Sequence, residues 1–155
     1  MNILVCIKQV PDTTEIKIDP VKHTLIREGV PSIVNPFDAC ALEMAVRLKE
    51  KEGGKVVVIS MGPAQAKNAL KECLAVGADQ AFLVTDRAFG GSDTLATSYI
   101  LSRAIAAVET KTGEKFDLIF CGKQAIDGDT AQVGPEIAEH MDLPHVTLAT
   151  AVEMA

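Results

Sequence analysis

The fold this sequence predicts is a single α/β domain: an open, mainly parallel five-stranded sheet with helices on both faces. Three observations predict it. Short apolar runs recur along the chain and are nearly unbroken rather than alternating, as strands covered on both faces require. Segments with helical spacing separate them. The composition suits helices packed on such a sheet, with 48% hydrophobic and 23% charged residues, no Trp and one Tyr. A length of 155 residues fits one domain, 1–155, with enough material for a sizeable core.

The first run, Ile3 to Ile7, follows Met1-Asn2 directly and is the first strand. The long segment Gln9 to Val34 then breaks the rhythm. Its pieces Glu15-Ile16-Lys17-Ile18, Asp19-Pro20 and Thr24-Leu25-Ile26-Arg27 predict a small β-hairpin inserted after strand 1. The first helix starts at Asn35-Pro36-Phe37-Asp38. Asn35 is placed to cap, Pro36 fits the first helical position, and Asp38 favours the positive end of the helix dipole. Ala41, Met44, Ala45 and Leu48 recur at helical spacing, and Gly53-Gly54 stops the helix.

Val56 to Ile59 is the second strand. Pro63 opens the second helix, with Ala66, Ala69, Leu70 and Cys73 on one face and Gly77 at its end. Ala81 to Val84 is the third strand, and a helix from Ser92-Asp93 turns Leu101, Ala104, Ile105 and Val108 inward. Leu118 to Cys121 is the fourth strand. The last helix follows Gly134-Pro135 to about His140, and Val146 to Val152 is the fifth strand. This alternation implies parallel strands joined by right-handed crossovers.

Charge and cysteine usage narrow the function. The formal net charge is −6 with a pI near 5.0, and no Lys/Arg cluster occurs, so nucleic acid is not an expected partner. Cys6, Cys40, Cys73 and Cys121 are far apart, without a C-x-x-C pair, and read as small buried hydrophobes in a reducing compartment. His23, His140 and His145 share no ligand spacing, so no metal site is expected. The sequence shows no basic leader and no apolar run long enough for a bilayer, which places the protein in the cytoplasm and away from membranes.

In an open parallel sheet, ligands sit beyond the carboxyl ends of the strands. Cys6 to Gln9, Ser60 to Pro63, Val84 to Ser92 and Gly122 to Pro135 should therefore gather on one rim. The last of these lies in CGKQAIDGDTAQVGP, residues 121–135, where Lys123 is the only basic side chain. An anion can still be held there by backbone N–H groups and a helix dipole. Gly128 and Gly134 allow close approach, Thr130 and Gln132 are neutral donors, and Asp127 and Asp129 suit ribose hydroxyls. An acidic surface loop capping a helix is an equal reading, because no Walker A or G-x-G-x-x-G pattern is present. A Mg²⁺ site on the two aspartates is a third. In VTDRAFGGSDTLAT, residues 84–97, Phe89 beside Gly90-Gly91 either stacks on a planar ring or tucks under its own loop.

At NPFDACALEMAVRLKE, VISMGPAQA, Cys73-Leu74-Ala75-Val76-Gly77-Ala78-Asp79 and CGKQAIDGDTAQVGP, the chain resembles the beta subunit of the electron-transfer flavoproteins. The resemblance runs from Ile3 to the last residue, with the blocks in the family's order and separations. It implies an adenine nucleotide alpha hydrolase-like α/β fold and an obligate heterodimer with a flavin-holding alpha subunit. It also implies a nucleotide shell made of Cys6, Asn35, Pro36, Phe37, Asp38, Met61, Gly122, Lys123, Gln124, Ala125, Ile126, Asp127, Gly128, Asp129, Thr130, Ala131, Gln132 and Val133.

The segment Val84 to Thr97 looks like that of the bifurcating, NADH-linked branch. That likeness implies FAD rather than AMP in the beta site, with NADH docking at Arg87, Phe89, Gly90, Gly91, Ser92, Asp93 and Thr94. The electrons would divide between the alpha-subunit flavin, serving an acyl-CoA dehydrogenase-type flavoenzyme, and ferredoxin or flavodoxin. No side chain need act as acid, base or nucleophile, since the cofactor carries the redox chemistry. Arg87 would stabilise a reduced, anionic ring or else form a surface salt bridge. The alternatives are a simple carrier with structural AMP and a universal-stress-type nucleotide module. Six-residue spacing of Gly128 and Gly134 counts against the latter, which needs G-x-x-G. Family beta subunits continue past position 155, so a C-terminal part expected from the resemblance is absent here.

Overall fold

A computed structural model describes residues 1–12 and 31–154. In chain order the elements are β1 (Asn2–Cys6), β2 (Gln9–Pro11), β3 (Ser32–Val34), α1 (Pro36–Glu52), β4 (Lys55–Met61), α2 (Lys67–Val76), β5 (Gln80–Val84), α3 (Thr94–Thr112), β6 (Leu118–Cys121) and α4 (Val133–His140). Single 3₁₀ turns at Ala64–Ala66 and Arg87–Phe89 precede α2 and α3.

Among the described residues, the main sheet has the order β5-β4-β1-β6, with every neighbouring pair parallel. The chain builds outward from β1 through β4 to β5, then crosses to the far side of β1 for β6. The order therefore reverses between β1 and β6, where Cys6 and Cys121 are register partners. All four carboxyl ends open on one rim.

The pleat sorts the core. Ile3, Val5 and Ile7 face α1 and α2, meeting Leu42, Ala45, Val46, Leu48, Leu70 and Cys73. Leu4 and Cys6 face α3 and α4, meeting Leu101, Ile105, Val108 and Ile137. Each fully buried aliphatic contributes roughly 1.5–3 kcal/mol, so both faces of β1 are anchored and its exit is held in place. The α1 stripe is rotated from the predicted one. Leu42 and Val46 are buried, whereas Ala41 and Met44 are only partly so.

Two expectations change. Val146 to Val152 is not a fifth strand, and among the described residues the main sheet has four. Leu148 takes a left-handed φ of 57°, which a ladder cannot accommodate, and Val146 and Leu148 are 86% and 73% exposed. Cys40 is exposed, unlike the buried Cys6 and Cys73. The predicted hairpin strands, Glu15 to Ile18 and Thr24 to Arg27, lie outside the described residues. On either side of them β2 and β3 pair antiparallel, from Gln9↔Val34 to Pro11↔Ser32. Among the described residues no helix is long and apolar enough to cross a membrane.

Candidate functional site

The strand order reverses between β1 and β6, and at such a switch point an open parallel sheet receives ligands in a crevice at its carboxyl rim. Its floor is Cys6 beside Cys121. Hydrogen bonding to Cys121, and next its own burial, hold the Cys6 thiol well above the ordinary range. Burial likewise pushes Cys73 up to about 11. Both remain thiols at neutral pH and offer no nucleophile.

The start of α1 forms one wall. Asn35 is 1% exposed and its side chain does not cap the helix, contrary to expectation. Its Nδ2 donates to the Gln124 carbonyl at 2.8 Å, and its Oδ1 accepts from the Ile126 N–H at 3.1 Å. The amide thus pairs with the loop after β6 as a neighbouring strand's backbone would. Asp38, 7% exposed, accepts from the Lys8 N–H through Oδ2 at 2.8 Å and from the Gly122 N–H through Oδ1 at 3.2 Å. Burial is the dominant influence on Asp38 and lifts its carboxyl to about 6, against the opposing pull of these donors. One turn of α1 therefore fixes the exits of both strands that flank the crevice.

Gly122 makes that closeness possible. A β-carbon there would lie 2.3 Å from Asp38 Oδ1 and 2.6 Å from the Phe37 carbonyl carbon, so only glycine fits. Gly128 differs, since a β-carbon there meets no atom within 4 Å. Gly134 turns inward, where a β-carbon would stand 3.2 Å from Cys121 Cβ. Its place is against the sheet at the start of α4, whereas Gly128 faces open space.

The two acids of the loop are already engaged. Asp127 Oδ1 receives Lys8 Nζ at 2.6 Å, and Asp129 Oδ1 receives Gln124 Nε2 at 2.7 Å. Asp129 and Ala131 hold left-handed φ values of 53° and 54°, so the backbone folds tightly before α4. Among the described residues no group of three or more His, Cys, Asp or Glu side chains is arranged to hold a metal ion. Neither α1 nor α4 has a side-chain cap. Positions 36 and 135 are prolines, and the N–H groups of Asp38, Ala39 and Glu136 donate to the Asn35 and Gln132 carbonyls. Among the described residues, the N–H groups left available at the two helix starts are those of Phe37, Val133 and Gly134, whereas Asp93 caps α3 through the Ala96 N–H at 2.8 Å. The donor set therefore fits a phosphate-bearing group.

The second candidate segment borders the first at one point. Thr94 Oγ1 lies 3.2 Å from both Gln132 Oε1 and Glu136 Oε1, joining the start of α3 to the start of α4. Arg87, Gly90, Gly91 and Asp93 are exposed, while Phe89, Ser92 and Thr94 are partly buried. Ser92 Oγ donates to the Phe89 carbonyl at 2.9 Å, which shapes the turn. Arg87 has no ion-pair partner among the described residues. Met61 is partly buried at the end of β4, with Val84 as its register partner.

Three residues join the site that residue patterns did not single out. Lys8 follows β1 on the predicted rim, but nothing in the sequence pairs it with Asp127, 119 positions on. Glu136 has a buried Oε2 without a hydrogen-bond partner among the described residues, and so does the Ser60 hydroxyl at the end of β4.

A model of the electron transfer flavoprotein domain matches residues 22–155. The chain is 64% identical over 154 residues to an electron transfer flavoprotein subunit beta of Thermoanaerobacterium thermosaccharolyticum, covering 99% of this chain and 57% of that protein. It is 56% identical over 155 residues to the caffeyl-CoA reductase-Etf complex subunit CarD of Acetobacterium woodii, covering 99% and 57%. It is 55% identical over 152 residues to Protein FixA of Azotobacter vinelandii, covering 98% and 53%. The chain thus spans a little over half the length of these relatives.

Proposed function

The chain belongs to the electron transfer flavoprotein family, and from that premise we propose that it is the nucleotide-binding part of a beta subunit which carries FAD at the β1–β6 rim and is reduced by NADH. The observation that carries this reading is the Thr94 bridge. It joins residues 87–94, read here as the NADH segment, to Gln132 of the 122–133 loop, read here as the dinucleotide loop, and so supports putting the two together. A hydride donor and its acceptor must share one such edge.

The protein's share of the work is placement. The free N–H groups of Phe37, Val133 and Gly134 at the starts of α1 and α4, with the loop backbone at Gly128, would hold the phosphates. Cys6 and Met61 would line the floor, while Asn35 and Asp38 hold the loop itself. Because their polar atoms are taken up by Gln124, Ile126, Lys8 and Gly122, these two act as scaffold more than as direct contacts. Arg87, exposed and without an ion-pair partner among the described residues, is available to a negatively charged ring. When bound, FAD supplies the redox step, taking a hydride and releasing its electrons singly.

Electrons would leave by two routes in the cytoplasm. One serves the flavin of an alpha subunit and then an acyl-CoA dehydrogenase-type enzyme; the other serves ferredoxin or flavodoxin. The relative named as a subunit of a caffeyl-CoA reductase complex supports a CoA-linked partner. Structural AMP in place of FAD is the second reading, favoured by the same amide-rich rim, which would hold either nucleotide. Identifying the nucleotides released from the purified alpha–beta heterodimer tests the choice. FAD from both subunits supports bifurcation, and one FAD with one AMP supports the simple carrier.

A further inference from the structure

Lys8 lies outside the nucleotide shell described above. Its backbone N–H donates to Asp38 Oδ2 at 2.8 Å, so the residue is fixed at its root to a buried carboxylate. Its side chain reaches from the exit of β1 to the loop after β6, where Nζ meets Asp127 Oδ1 at 2.6 Å. The two side chains are 48% and 24% exposed, which puts the pair at the entrance rather than in the core. Asp127 directly follows Ile126, the last loop residue held by Asn35, and directly precedes Gly128. The loop is therefore held on its inner side by neutral bonds to a buried amide and at its tip by one ion pair.

We infer that Lys8 is a positioning residue: it latches the tip of the 122–133 loop across the crevice and sets how fast a bound dinucleotide leaves. The inference rests on the nucleotide reading and adds a residue to it. An exposed ion pair adds little to the stability of a whole domain. A loop tip opens by itself, however, and there a single contact is a large part of what must break. The side chain is neutralised at short range by Asp127, so it works through the loop rather than as a free cation for phosphate.

The test uses the full-length subunit purified with its alpha partner. Nucleotide release is timed for wild type, Lys8→Met, Asp127→Asn, the double variant and the charge-reversed Lys8→Asp/Asp127→Lys, at low and high salt. Each single variant should release about two- to fivefold faster. The double variant should be no faster than either single one, charge reversal should recover much of the retention, and high salt should erase the wild-type advantage. Faster release in Lys8→Met alone, with Asp127→Asn unchanged, would make Lys8 a phosphate ligand and overturn the latch. Hydrogen exchange at residues 126–130 of the nucleotide-free protein separates the two claims. Equal acceleration in both single variants supports the latch even if this subunit carries no nucleotide, an outcome that refutes the functional reading alone; unchanged exchange overturns the latch.

Discussion

The side-chain amide of Asn35 donates to the carbonyl of Gln124 at 2.8 Å across 89 positions of sequence. With the Ile126 N–H held by the same side chain, the start of α1 becomes a template for the loop that follows β6. Asn35→Ala leaves a part-buried acceptor and a part-buried donor without partners. The expected cost is about 1–3 kcal/mol, with a lowered melting temperature and faster hydrogen exchange at Ile126. Unchanged exchange there would remove the template role.

Asp38 makes stability depend on pH in an unusual direction for a carboxylate. Its folded-state value, raised to about 6 from 3.8, means the folded chain binds the proton more tightly than the unfolded chain. Its contribution therefore grows as pH falls from about 6 toward 4 and is lost as pH rises through about 6. A shift of this size corresponds to roughly 3 kcal/mol. Asp38→Asn should remove that slope, besides costing stability at every pH by turning an NH₂ toward one of two N–H donors. Urea unfolding of both proteins across the window checks it, and parallel profiles would contradict the assignment.

The three glycines around the loop should respond differently. Gly122→Ala forces a β-carbon into Asp38 and the Phe37 backbone, so it should destabilise the whole domain by several kcal/mol. Gly134→Ala, facing Cys121 at 3.2 Å, should cost less. A β-carbon at Gly128 meets nothing within 4 Å, so Gly128→Val should leave the nucleotide-free protein as stable as wild type. Thermal melts of the three variants give the ranking directly.

Thr94→Val keeps the shape of the α3 start but breaks the bridge to Gln132 and Glu136. The bonds are long at 3.2 Å and one hydroxyl proton serves two acceptors, so the stability loss should stay within about 1 kcal/mol. NADH oxidation by the heterodimer should slow severalfold, with KM for NADH rising, while nucleotide content is unchanged. Unaltered NADH kinetics would detach residues 87–94 from the donor site.

Much of this architecture was legible in the sequence because it depends on local signals. The unbroken runs around Val5, Val58 and Leu83 mark doubly covered strands, and Pro36 and Asp93 mark helix starts. The strand-end rule then gathers the loops after β1, β4, β5 and β6 on one rim. What the chain does not announce is pairing over long range. The order β5-β4-β1-β6 follows from packing, and so does the side chain of Asn35 leaving its expected cap for Gln124. The same holds for Lys8, which reaches Asp127 only once β6 has crossed beside β1. The apolar run at Val146 to Val152 has strand-like residues, but Leu148 turns left-handed, a backbone choice its composition conceals.

The amide-lined rim between β1 and β6 as the seat of FAD is tested most directly by counting nucleotides released from the full-length alpha–beta heterodimer, as wild type and as Gly128→Val. Two FAD per wild-type heterodimer, falling to one in a Gly128→Val protein that melts normally, is the predicted result. A wild type that yields AMP or nothing from this subunit, or a Gly128→Val protein that keeps both flavins, would contradict it.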